Sequence, residues 1–161
     1  MPVSTIWPSV SVRPRKAFAL LPALALVSCV SLAIALEPPS KLFLDKNSFY
    51  LSSAGFRVQV ANDAAGKKAL RALPPHQFVT HSMAGQIRYF YAEPQHCNCV
   101  FVGTQQAYDS YRNMLSQQLS QADSISPDYR TQASTLLNST PAGFRTLQDP
   151  GYLQEYFRAY Y

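Results

Sequence analysis

The chain has 161 residues, only 14% of them charged, and a formal net charge of +5. Residues 1–36 hold Arg13, Arg15 and Lys16 and no acid, so the rest of the chain carries 11 Lys or Arg against 9 Asp or Glu, a net +2. The basic balance therefore belongs largely to the first segment. A phosphate-binding face needs clustered cations, so nucleic acid is not an expected partner.

The first element is a leader. Arg13-Pro-Arg-Lys16 precedes an uncharged, mostly apolar run from Ala17 to Leu36. Cations stay on the cytoplasmic side and the apolar run enters the bilayer as a helix, which is the layout of a secretory signal. Three fates are open. Cleavage after Ala33-Ile-Ala35 starts the mature chain at Leu36. Leu26-Val-Ser-Cys29 resembles a lipobox, which makes Cys29 a lipidation candidate. Uncut, about 20 apolar residues suffice to span a bilayer. Residues 1–36 are thus expected as a hydrophobic leader helix, either signal peptide or membrane anchor. Any membrane contact is expected through it or a lipid anchor, and export to the periplasm or cell envelope follows.

Residues 37–48 read as a linker, opened by the stiff Glu37-Pro-Pro-Ser40, and residues 49–161 as a single domain. Phe49 to Ser52 reads as a short strand. Phe56-Arg-Val-Gln-Val60 alternates, which predicts a half-buried strand with Phe56, Val58 and Val60 inside. Asn62 or Asp63 caps a helix running to about Leu73, where Pro74-Pro75 stops it. Lys67, Lys68 and Arg71 make its solvated face. The runs Gln77–Ser82 and Gln86–Tyr91 flank Met83-Ala-Gly85 and predict a hairpin. Ala92-Glu-Pro-Gln95 reads as a turn. Cys97 to Val102 is apolar on both faces, the pattern of a central strand.

From Thr104, the residues Tyr108, Tyr111, Leu115, Leu119 and Ala122 recur at helical period. Ser126-Pro127 opens another helix, ending near Asn138, and Asp149-Pro150 opens a last one with an aromatic face. That face closes the core or docks a partner, and closing the core is the expected role. The fold class is α+β: a small antiparallel sheet with helices packed on one face.

One constellation carries chemistry: His96-Cys97-Asn98-Cys99. If both cysteines sat in a strand, their Cα atoms would lie about 6.6 Å apart at ~3.3 Å per residue. A disulfide wants its Cβ atoms ~3.8 Å apart, so bridging needs a local turn. Three readings stay open: two small buried side chains, bridged or not; a redox pair; or a metal site in which Cys97, Cys99 and His96 take Cu or Zn. His76 and His81 read as ordinary surface or hydrogen-bonded residues, either able to add a ligand if its strand neighbours the pair. No phosphate loop, nucleophile elbow or close carboxylate pair appears in the sequence. Asn138-Ser-Thr140 matches a glycosylation sequon, which matters only in a eukaryotic secretory pathway.

Leu73-Pro-Pro-His-Gln-Phe-Val79, Tyr89-Phe-Tyr-Ala-Glu-Pro94 and Cys97-Asn-Cys-Val-Phe-Val-Gly103, with Tyr108 and Tyr111, carry a resemblance over about residues 50 to 115. It is to small exported proteobacterial proteins of unknown function. The resemblance implies a bacterial envelope location and no activity. The expectation is a non-enzymatic interaction or structural module, with a protein partner or envelope component and no cofactor. The alternative is a periplasmic thiol protein using Cys97 and Cys99, with His96, for metal binding or redox exchange.

Overall fold

The computed structural model describes residues 38–121, 125–147 and 150–161. The expectations for the leader, including Cys29 and Ala35, lie outside the described residues, as do those for Ala122 and Asp149. Among the described residues no helix is long and apolar enough to cross a membrane.

The elements in chain order are α1 (Lys41–Ser53), β1 (Arg57–Val60), α2 (Ala64–Ala72), β2 (Phe78–Met83), β3 (Gln86–Glu93), β4 (Cys99–Thr104), α3 (Gln105–Ser120), α4 (Pro127–Asn138), β5 (Ala142–Gly143) and α5 (Pro150–Tyr156). Short 3-10 turns follow β5 at Phe144–Thr146 and α5 at Arg158–Tyr160. The five strands form one sheet in the order β1-β4-β3-β2-β5. Neighbours pair antiparallel except β5, which runs parallel to β2 and makes the sheet mixed.

The caps are local and follow the sequence. Ser40, Asp63, Thr104 and Ser126 each accept a hydrogen bond from the backbone N–H three residues on, satisfying a donor that the first helical turn leaves free. The hairpin turns on Ala84 and Gly85, at φ of 49° and 77°. Two consecutive left-handed residues match the right-handed twist of the flanking strands.

The class is α+β, but the arrangement differs from the expected one: helices cover both faces of the sheet. On one face, Phe43, Leu44 and Leu51 of α1, Tyr111 and Leu115 of α3 and Tyr129 and Leu136 of α4 pack on Phe78, Tyr91 and Phe101. On the other, Leu70 of α2 and Leu153 of α5, joined by Phe157, pack on Val79, Phe90, Val100 and Val102. The cause is in β3 and β4. Successive side chains of a strand point to opposite faces. Tyr91 and Phe101 are apolar on one side and Phe90, Val100 and Val102 on the other, so one layer of helices leaves half of them wet.

Three local expectations are corrected. Phe49 to Ser52 is not a strand but the last turns of α1. Residues 41–48, expected in a linker, are its first turns and place Phe43, Leu44 and Asn47 in the core. Of the face expected inside β1, Phe56 is buried, while Val58 and Val60 are 46% and 44% exposed. β1 is an edge strand, and the helices of that face do not cover it.

Candidate functional site

Cys97 and Cys99 are joined by a disulfide, with their Cα atoms 5.2 Å apart. The local turn needed for bridging is present. β3 ends at Glu93 and β4 begins at Cys99, so the chain reverses over residues 94–98 and only Cys99 is in a strand. Asn98 closes the reversal at φ 48°, a left-handed conformation that Asn tolerates better than most residues. Its carbonyl accepts from Ala61 N at 2.8 Å, which ties the reversal to the end of β1.

The two cysteines differ in burial. Cys99 is fully buried against the α1 and α3 side of the sheet, whereas Cys97 is only partly buried at its margin. His96 is exposed, and its Nε2 lies 2.8 Å from Asp45 Oδ1 on α1 rather than at a sulfur. The Lys41 side-chain hydrogen bond holds Asp45 below its ordinary carboxyl value. The residues expected as a metal set are therefore arranged here as a disulfide and a separate imidazole–carboxylate pair. Neither joined sulfur is a thiolate, the form that ligates metal. Among the described residues no three His, Cys, Asp or Glu side chains form a group that could hold a metal ion.

Beneath the reversal lies a carboxylate that the sequence reading passed over. Glu93 is 1% exposed. Its Oε1 accepts from the backbone N–H of Gln95 at 2.9 Å and of His96 at 3.0 Å. Its Oε2 lies 3.3 Å from His76 Nδ1. Burial pushes its pKa up, but the His76 contact and the two backbone donors outweigh that, and the net shift is downward. Glu93 is also the register partner of Cys99. Directly opposite residues of an antiparallel pair share a face, so this carboxylate and the buried sulfur are neighbours.

His76 reaches Glu93 because Pro74-Pro75 ends α2 and His76 itself turns left-handed, at φ 57°. Its N–H donates to Ala92 O at 3.0 Å, which docks the segment beside β3. Further along the same face, Tyr111 donates its hydroxyl to the buried Asn47 of α1. Burial, and then the nearby Glu93 charge, push the Tyr91 hydroxyl well above its ordinary range. A signal for Glu93 existed in the sequence: it is the one acid in the run from Ile87 to Val102. Its place before Pro94 makes it look like part of an exposed turn.

His81 lies on the opposite face, stacked on Phe144, with Nδ1 2.7 Å from the Tyr161 hydroxyl. The structure does not bring it to the cysteines. Lys67, Lys68 and Arg71 are exposed on α2, with Lys68 Nζ 3.8 Å over the Tyr152 ring. Comparison with protein-family models, with curated proteins and with solved structures returns no match.

Proposed function

We propose that the chain is an exported bacterial envelope protein whose working element is the Cys97–Cys99 bridge, used for thiol–disulfide exchange with a protein partner. The observation that carries this reading is the unequal burial of the two cysteines, Cys97 partly buried at the core's margin and Cys99 fully buried. An incoming thiolate reaches only Cys97 Sγ. It forms a mixed disulfide there, the Cys97–Cys99 bond breaks, and the electron pair passes to Cys99 Sγ, which takes up a proton. A second partner thiolate then releases Cys97, leaving two thiols on this chain and a disulfide on the partner.

The size of the ring supports the same reading. Cross-linking stabilises mainly by restricting the unfolded chain, and more for long loops. A three-residue loop gives only about 1.6 kcal/mol on that scale, so fold stability alone accounts poorly for the bridge. A disulfide also fits an oxidising compartment and agrees with the leader.

The test uses two variants of the purified chain, each also carrying Cys29→Ser, treated with oxidised glutathione. Cys99→Ser leaves the accessible sulfur free and is expected to accumulate a glutathione adduct, read by intact mass. Cys97→Ser leaves only the buried sulfur and is expected to stay unmodified under native conditions. Equal labelling of both, or of neither, overturns the reading.

A second reading, the interaction module without exchange, draws on β1. Ala61 N–H bonds to Asn98, so by antiparallel alternation Val58 and Val60 turn their backbone groups away from β4. Their side chains are exposed as well. An extended partner segment adding to this edge would use both. Val58→Lys with Val60→Lys would then abolish partner capture, while the double serine variant of the cysteines would leave it intact.

A further inference from the structure

We propose that Glu93 is the positioning residue of the Cys97–Cys99 bridge: its carboxylate clamps the reversal over residues 94–98 and so sets the balance between the disulfide and the two thiols. The inference rests on the reading of this pair as an exchanging couple.

In an extended strand, residues two apart stand about 6.6 Å from each other at ~3.3 Å per residue. Here the Cα atoms of Cys97 and Cys99 are 5.2 Å apart. Something must hold the segment in the closer shape when the covalent bond is open. One end is fixed by the β3–β4 register, which pairs Glu93 with Cys99. The middle is fixed by Glu93 Oε1, which takes both the Gln95 and the His96 N–H. The Glu93 carbonyl lies 3.7 Å from Cys97 Sγ, so backbone and side chain of one residue meet Gln95, His96 and Cys97. The other carboxylate oxygen, Oε2, lies 3.3 Å from His76 Nδ1. Two donors on an ionised acceptor form charge-assisted hydrogen bonds, which are about twice as strong as neutral ones. With this clamp in place, reduction leaves the two thiols facing each other, and their effective concentration stays high.

The measurement, made in a Cys29→Ser background, is the equilibrium of the bridge with reduced and oxidised glutathione, read by alkylating the free thiols and weighing the intact chain. Glu93→Gln keeps the shape and one acceptor oxygen but removes the charge. It is expected to shift the constant about tenfold toward the dithiol, which is ~30 mV for a two-electron couple. Glu93→Asp keeps the charge but withdraws it from the turn, and is expected to shift the constant in the same direction by a smaller factor. A folded Glu93→Gln chain with the wild-type constant overturns the inference. Should Glu93→Gln fail to fold, an unchanged constant in Glu93→Asp overturns it instead. If the wild-type bridge itself does not equilibrate with glutathione, the exchange reading falls and takes this inference with it. If the wild-type bridge equilibrates and neither variant moves, the role of Glu93 alone is lost.

Discussion

Ala84 sits in a left-handed conformation, at φ 49°, where its Cβ crowds the following carbonyl. That conformation costs an L residue about 1–2 kcal/mol, of which Gly recovers the strain but gives back part as unfolded-state entropy. Ala84→Gly is therefore expected to stabilise the chain by about 0.5–1 kcal/mol, seen as a higher midpoint in urea; an unchanged or lower midpoint contradicts the turn assignment. Gly103 is the opposite case. A Cβ there would lie 2.5 Å from Phe56 Cε1, inside the core. Gly103→Ala is expected to destabilise by about 1–3 kcal/mol through displacement of the Phe56 ring. Caps such as Thr104 and Ser126 were legible because cap and donor lie three residues apart in one segment. The Glu93–His76 pair was not, because it depends on a left-handed turn at His76 and an isolated bridge of Pro75 to Ala92 that bring together residues distant in sequence.

At the scale of elements, α1 was hidden by its own pattern. It buries Phe43, Leu44, Asn47 and Leu51, a helical set, but Leu42 and Phe49 are exposed and Asn47 is polar, so the apolar stripe does not stand out. The reversal between β3 and β4 makes a separate prediction, through pH. The folded-state pKa of Glu93 is depressed. A depressed carboxyl contributes stability that is present above its unfolded value and lost as the pH falls through the folded one. The wild-type chain should thus lose urea resistance between neutral pH and the acid end of the carboxylate range, and Glu93→Gln should lose less across the same interval. Parallel curves for the two would mean that the carboxylate contributes no such stability. The Cys97→Ser, Cys99→Ser double variant should remain folded and lose only about 1.6 kcal/mol at neutral pH. A much larger loss would mark the bridge as structural rather than exchangeable.

For the whole molecule, the decisive feature was partly legible in the sequence. The segment from Cys97 to Val102 is apolar on both faces, which already asks for cover on both. The order of elements, strands and one helix first and helices after, pointed to one helical layer, yet α2 and α5 lie on the face opposite α1, α3 and α4. What seats them is the parity of β3 and β4, with Phe90, Ala92, Val100 and Val102 facing α2 and α5. The consequence is two cores separated by one sheet, and they should respond independently. Leu115 on α3 and Leu153 on α5 are both fully buried, one in each core. Leu115→Val and Leu153→Val each remove one methylene and are expected to cost about 1–2 kcal/mol. Side chains that share no partner give additive effects within about 0.5 kcal/mol. The double variant should therefore lose the sum of the two, measured by urea unfolding at constant slope. A shortfall well beyond that margin would mean that the sheet transmits strain from one core to the other. The bridge at the β3–β4 end would then sense changes on the far face as well as its own.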